Sequence, residues 1–242
     1  MRFDTSLEKS PSFVVSQFKR PREGQRAGGP QWPGPAITIS HQTGAGAHEV
    51  ADRIARILEE TEPRSVQPWK VFDHELVERA LEEHHWPKAL ADKMPEDKRS
   101  YIADVMDELF GLRPPSWVLA PQVAETTLRL AAAGHVILVG RGATVVTAPL
   151  PNVFHVRLIA SLPKRIERVQ KLHGLDPELA ARFIRKEDRG RWRYVKAHFH
   201  ARLDADLLYD LVINTDRVAC GDAAALIAEG ARRCFRASGG RA

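Results

Sequence analysis

Ala36-Ile37-Thr38-Ile39-Ser40 leads into Thr43-Gly44-Ala45-Gly46-Ala47-His48, and Val50, Ile54, Ile57 and Leu58 follow. The first five residues have the β-branched, apolar character of a short strand. The glycines make a tight turn, and the four aliphatic residues recur at helical spacing. Strand, glycine turn and helix in this order open an α/β domain. Small residues in the turn let backbone amides approach an anion closely, and the helix beyond adds unpaired N–H groups and the positive end of its dipole. An ordinary strand-to-helix turn reads the same way, so both interpretations stand at this point. The third glycine of the dinucleotide fingerprint is missing. The lysine and hydroxyl of a complete P-loop are missing too, with Ala47 and His48 in their places.

Outward from this stretch the alternation continues. Trp69-Lys70-Val71-Phe72-Asp73 reads as a strand, and residues 74–112 as mostly helical with breaks near Pro87 and Pro95. A helix carrying Val123, Ala124, Leu128 and Ala131 starts at Pro121 and ends near Gly134. His135 to Gly140 is a continuous apolar run, as in a strand covered on both faces. Val153 to Ile159 is another strand. Leu162, Ile166 and Val169 mark a helix that Gly174 stops, and Asp176-Pro177 opens the next as cap and first residue. Leu208 to Thr215 reads as the last strand and Ala223 to Phe235 as the last helix. Alternating elements imply a parallel sheet with helices on both faces, and ligands in such sheets bind beyond the carboxyl ends of the strands. That rim holds the Gly44 turn, Asp73, Arg141, the stretch after Ile159, and Thr215.

Composition narrows the class. The chain has 242 residues and a net charge of +5. Residues 157–202 carry 13 Lys/Arg against 5 Asp/Glu, so the rest of the chain sums to −3 and the positive charge is concentrated in one segment. Two cysteines, Cys220 and Cys234, make neither a disulfide framework nor a zinc spacing. The stretch between Arg141 and Arg157 is interrupted by Pro149, Pro151, Asn152 and His155, which argues against a membrane helix. With no signal-peptide pattern, the expected location is the cytoplasm. Residues 1–34, rich in Pro and Gly yet carrying Phe13, Val14, Val15, Phe18 and Trp32, read as an arm.

Four constellations could carry chemistry. Beyond the glycine turn, Arg141 stands between Gly140 and Gly142 after a buried strand, where a guanidinium suits bidentate phosphate recognition; the rim position favours this over a surface arginine paired with a carboxylate. Arg182, Lys186, Arg189 and Arg193 fall on one helical stripe, with Leu179, Ala180, Phe183 and Ile184 on an apolar side. The stripe is a solvated face, a cover for a polyphosphate, or a nucleic-acid patch with Trp192, Tyr194 and Phe199 as stacking partners. The acidic set Asp73, Glu75, Glu49 and Asp188 offers carboxylates for Mg²⁺, and Asp73, ending a strand, is the best placed; a helix cap is the alternative. His84, His85, His198 and His200 have no ligand companions.

Placed in this order, these residues resemble the cytidylate kinase-like family of nucleoside monophosphate kinase relatives. The landmarks are Ile37 to Ser40 with Gly44-Ala45-Gly46, Val71 to Leu76, Val139 to Ala143, Val156 to Ala160, Asp188 with Arg191 and Tyr194, and Leu208 to Thr215. The resemblance implies an α/β fold, a P-loop kinase-like three-layer sandwich with a parallel sheet, a helical acceptor-binding region and an arginine-rich lid. It implies one domain over 35–237, with the acceptor region at 74–120, the lid at 161–205 and a frayed tail at 238–242. ATP and Mg²⁺ are the implied cofactors. The donor phosphates would lie over Thr43, Gly44, Ala45, Gly46, Ala47 and His48, with Arg165, Arg168 and Arg185 in contact. Arg141, Arg189, Arg191 and Asp73 form the implied catalytic set, with Asp73 on the metal. The implied activity is ATP-dependent phosphoryl transfer to a nucleoside monophosphate, CMP-like, or a similar small acceptor. Loss of the lysine leaves a second expectation, a non-catalytic nucleotide-binding or regulatory protein. Expected partners are the nucleotide donor and a small phosphorylated acceptor, and a second copy through the arm, but not a membrane or nucleic acid.

Overall fold

The computed structural model describes residues 34–61, 67–73, 119–140 and 142–239. The expected arm before Gly34, residues 74–118 of the expected acceptor region at 74–120, Arg141 and the last three residues lie outside them.

Strand β1 (Ala36–His41) is followed by helix α1 (Ala47–Thr61) and strand β2 (Lys70–Asp73). Helix α2 (Leu119–Ala133), strand β3 (Val136–Val139) and the short helix α3 (Ala143–Thr147) come next. Strand β4 (Val153–Ile159) leads into a helical hairpin, α4 (Leu162–His173) and α5 (Pro177–Phe199), then strand β5 (Leu211–Asn214) and helix α6 (Cys220–Gly239). The five described strands form one parallel sheet in the order β2-β3-β1-β4-β5. With β1 in the middle, all carboxyl ends point to one rim, and the turn after β1 sits at its centre.

Burial explains the order. Ile37 and Ile39 of β1, Ile137 and Val139 of β3, and Phe154, Val156 and Leu158 of β4 point to one face and form a single apolar cluster with Val50, Ile54 and Leu58 of α1 and Ile227 of α6. A strand alternates its side chains, so Thr38 points to the other face. There its hydroxyl lies 3.1 Å from that of Thr144 in α3 and 2.8 Å from His155 Nδ1 in β4. Buried polar groups are stable only when bonded, and these three satisfy one another.

The hairpin has a small core of its own. Val169, Ala180 and Ile184 are buried together, with Leu162, Ile166, Leu175 and Phe183 packed around them. Its turn follows the expected rules: α4 ends at Gly174, and the Asp176 carboxylate accepts a hydrogen bond from the Leu179 amide at 2.9 Å. Leu179, expected on the apolar side, is instead exposed, while its neighbour Ala180 takes the buried position against α4. The last strand is shorter than expected. Asp206–Leu208 form a 3₁₀ turn with Leu207 fully exposed, so pairing with β4 starts only at Leu211. Conversely α6 runs beyond both ends of the expected helix.

Burial holds the His155 imidazole below its ordinary value of 6.5, a displacement that nearby Asp210 only partly offsets. The unfolded chain therefore takes up a proton that the native chain refuses, and stability falls as pH drops below 6.5. Urea unfolding should show a midpoint that declines between pH 6.5 and about pH 5, above the carboxylate range. His155→Gln should reduce that decline, and the part that remains belongs to His41, a second imidazole that burial holds low. A slope unchanged in the variant would show that His155 is not its source.

Candidate functional site

The turn after β1 is built by close approach. Gln42 continues the strand through its amide to the Leu158 carbonyl at 3.1 Å, and its side-chain oxygen accepts from the Ala160 amide at 2.9 Å. The Ala45 amide returns to the Gln42 carbonyl at 2.9 Å. Gly44 and Gly46 have φ of +82° and +88°, which L side chains rarely adopt. Space forbids a side chain as well: a Cβ on Gly44 would lie 2.8 Å from the Arg165 carbonyl oxygen, and one on Gly46 would lie 2.8 Å from Cys220 Sγ. The turn is thus clasped between the start of α4 and the start of α6.

From Gly46 the chain enters α1, whose first intrahelical bond runs from the Val50 amide to the Gly46 carbonyl. The amides ahead of that bond, including those of Ala47 and Glu49, lie at the positive end of the helix. Ala47 is itself buried in the apolar cluster under the sheet. Cationic charge at this turn therefore comes from elsewhere in the chain.

It comes from three arginines. Arg165 of α4 donates through Nη1 to Asp188 Oδ2 at 2.6 Å and to the Thr43 carbonyl at 3.5 Å. Arg168, one turn later, donates to the Thr215 hydroxyl at 2.9 Å, the Thr215 carbonyl at 2.7 Å and the Gly44 carbonyl at 3.4 Å. The Thr215 hydroxyl in turn donates to the Ala45 carbonyl at 3.0 Å. Arg191 of α5 donates through Nη1 to the His41 carbonyl at 3.1 Å, the Thr43 hydroxyl at 3.2 Å and Asp188 Oδ1 at 3.2 Å. Asp188 Oδ1 also accepts the Thr43 amide at 2.8 Å. Burial pushes the Asp188 carboxyl upward, but the hydrogen bonds from Thr43 and Arg165 outweigh it and hold the group below its usual value. Three cations and one anion therefore meet at this turn.

His41 Nε2 lies 3.4 Å from Arg191 Nη2. A guanidinium only donates, so Nε2 is the acceptor and the ring proton resides on Nδ1. Burial, then Arg191 and His48, push this imidazole down to about 3. At the outer edge, the His48 ring is paired with the Asp73 carboxylate at the end of β2, and its centroid is 6.1 Å from that of His41.

The structure thus gathers Thr43 to His48, Asp73, Arg165, Arg168, Arg191, Asp188 and Thr215 on one rim. Arg185 and Arg189 are exposed on α5, and no hydrogen bond among the described residues ties them to the turn. Arg182, Lys186 and Arg193 are exposed too, which makes the stripe a solvent-facing surface here. Glu49 is on the surface of α1, paired with Arg53. Asp188 belongs to the arginines, and Arg141 and Glu75 lie outside the described residues. His41 and Cys220 were not singled out from sequence as members of the site. The signal for His41 was its place directly after a buried strand; Cys220 meets Gly46 only through the packing of α6. Among the described residues no group of three or more His, Cys, Asp or Glu side chains is arranged to hold a metal ion. No described helix is long and apolar enough to cross a membrane.

A family model described as the cytidylate kinase-like family matches residues 36–217. Among solved structures, an uncharacterized protein from Eubacterium ventriosum is similar with a TM-score of 0.53 at 19% identity, over 82% of this chain and 98% of that one, a likeness of fold. A gluconokinase from Sinorhizobium meliloti gives a TM-score of 0.41 at 12% identity, over 88% of this chain and 99% of that one. A protein named uronate isomerase from Corynebacterium glutamicum is 38% identical over 79 residues, which are 33% of this chain and only 15% of that protein.

The clasped turn makes a direct test. Gly44→Ala adds both an unfavourable φ and a contact with the α4 backbone, and should cost about 1–3 kcal/mol in urea unfolding. A cost below about 0.5 kcal/mol, the size of a neutral surface change, would show that the turn is not held as described.

Proposed function

This chain belongs to the cytidylate kinase-like family, and from that premise we propose that it transfers a phosphoryl group from ATP to a nucleoside monophosphate, CMP-like, or a similar small phosphorylated acceptor. The observation that carries the reading is the convergence of Arg165, Arg168 and Arg191 on the turn between β1 and α1. Phosphoryl transfer asks for little covalent chemistry from a protein; it asks for positioned charge and exclusion of water. The amides at the start of α1 would hold donor phosphate oxygens. Arg165, Arg168 and Arg191 would stand in for the absent lysine by neutralising charge that builds up on the transferred group. The α4–α5 hairpin, with its own core, would act as the lid.

The donor set at the mouth suits magnesium. Asp73 is a hard oxygen donor, and its side chain is 35% exposed. Mg²⁺ commonly takes one or two carboxylates and fills its other positions with water and phosphate. Asp73 would hold the ion, which would supply charge to the donor phosphates. His48, paired with Asp73, would orient that carboxylate. Arg141 follows Gly140 at the end of β3 and is proposed to hold the acceptor phosphate.

A second reading is kept by two observations. Ala47 is buried and Arg165 and Arg191 already share Asp188, so the site could hold a nucleotide without turning it over. Coupled measurement of ADP formation with a panel of nucleoside monophosphates separates the two. Phosphotransfer predicts ADP release stimulated by one or more acceptors, lowered about 100-fold in Arg165→Ala. Nucleotide binding with no acceptor-stimulated ADP would support the regulatory reading instead. Arg141→Ala should raise the acceptor KM or lower kcat and leave ATP affinity nearly intact. Equal loss toward both nucleotides would remove the acceptor role from Arg141.

A further inference from the structure

The α4–α5 hairpin meets the β1–α1 turn through polar groups. Val169, Ala180 and Ile184 form a core within the hairpin, while Arg165, Arg168, Asp188 and Arg191 make hydrogen bonds to His41, Thr43, Gly44 and Thr215. Among them, the Asp188 carboxylate is bonded to a side chain from each helix of the hairpin and to the turn. One oxygen accepts the Thr43 amide at 2.8 Å and Arg191 at 3.2 Å; the other accepts Arg165 at 2.6 Å.

This arrangement solves a problem that the arginines create. The side chains of Arg165 and Arg191 are only 11% and 13% exposed, and they converge on the same few atoms. Two guanidinium ions brought out of water side by side repel each other, and each needs a bonded anion to remain there. Asp188 is that anion. It lies three residues before Arg191, a spacing that puts both on one face of α5, and it faces Arg165 across the hairpin. Arg165 Nε remains buried with no hydrogen-bond partner among the described residues. A guanidinium held by one nitrogen and unsatisfied at another keeps donor capacity for a further oxygen.

Resting on the phosphotransfer reading above, we propose that Asp188 is the positioning residue of the lid: it sets Arg165 and Arg191 over the Thr43–Gly44 turn in the geometry that stabilises the transferring phosphoryl group. Asp188 does not touch the nucleotide. It holds the two cations apart from solvent and at a fixed distance from the turn, so that they need not reorganise as charge develops. Positioning of this kind acts on turnover rather than on ground-state binding. Phosphates carry negative charge of their own and still attract both arginines when the carboxylate is neutralised.

Asp188→Asn separates these effects, because it keeps shape and an oxygen acceptor but removes the charge. The expected result is a kcat lowered about 100-fold, with ATP affinity by calorimetry unchanged or tighter. Hydrogen exchange of the α4 and α5 amides, which needs no turnover, should quicken in the ATP-free variant and slow again when ATP is added. Removing one partner of a buried ion cluster can prevent folding. The double variant Asp188→Asn/Arg191→Gln removes one charge of each sign and should melt closer to the wild type than the single variant, with kcat still low. A single variant that folds and keeps kcat within about twofold overturns the proposal. So does a parallel loss of kcat and ATP affinity, the mark of a merely structural role, or recovery of kcat in the double variant. Absence of acceptor-stimulated ADP formation in the wild type would instead sink the phosphotransfer reading. The exchange measurement would still decide whether Asp188 holds the hairpin to the turn: unchanged exchange in the variant counts against it.

Discussion

Gathering like charge around a short turn is the constraint on which this molecule depends. Arg165, Arg168 and Arg191 all reach the residues between β1 and α1, and three cations do not share such a space without something to hold them. The chain supplies it in two ways. Carbonyl oxygens of His41, Thr43, Gly44 and Thr215 accept their donors, and the Asp188 carboxylate offsets part of the charge. What remains is an excess of positive charge at the centre of the rim, beside the positive end of a helix. Such a place is suited to an anion.

The sheet makes that gathering possible. Because every described strand pair is parallel, the turn after β1, the end of β2, the stretch after β4 and Thr215 after β5 all arrive on the same side. The cluster of Ile37, Ile39, Val156 and Leu158 with α1 and α6 fixes the strands behind them. The two glycines then let α4 and α6 come close enough for their side chains to reach the turn. Core packing, turn geometry and electrostatics thus form one chain of cause.

Much of this was legible beforehand. Five apolar segments alternating with helical patterns are enough to set the parallel sheet and the rim at its carboxyl ends, and Gly174 and Asp176-Pro177 mark the bend of the hairpin. The extent of β5 was not legible, because the apolar pattern from Leu208 onward does not reveal that Asp206–Leu208 turn as a 3₁₀ segment. Nor was the sorting of the arginines. Arg165, Arg168, Arg185, Arg189 and Arg191 look alike as residue types, and only the rotational setting of α4 and α5 against the turn decides which face inward. Asp188 was legible as a carboxylate near the site, but its two arginine partners come from separate helices, and periodicity within one helix cannot supply the second. The burial of the His41 imidazole is not legible in the sequence, because the apolar pattern ends at Ser40 while the strand continues to His41.

The chain belongs to the cytidylate kinase-like family, yet Ala47, packed into the core, stands where a complete P-loop has its lysine. In the proposed phosphotransfer, arginines from the hairpin take the place of that lysine at the donor phosphates. Titration of the isotope-labelled protein with a non-hydrolysable ATP analogue, followed by nuclear magnetic resonance, addresses this directly. The account predicts that the backbone amides of Gly44, Gly46 and Ala47 shift together with the side-chain resonances of Arg165, Arg168 and Arg191. Shifts confined to the exposed face of α5, at Arg182, Lys186 and Arg193, with the turn left unperturbed, would contradict it.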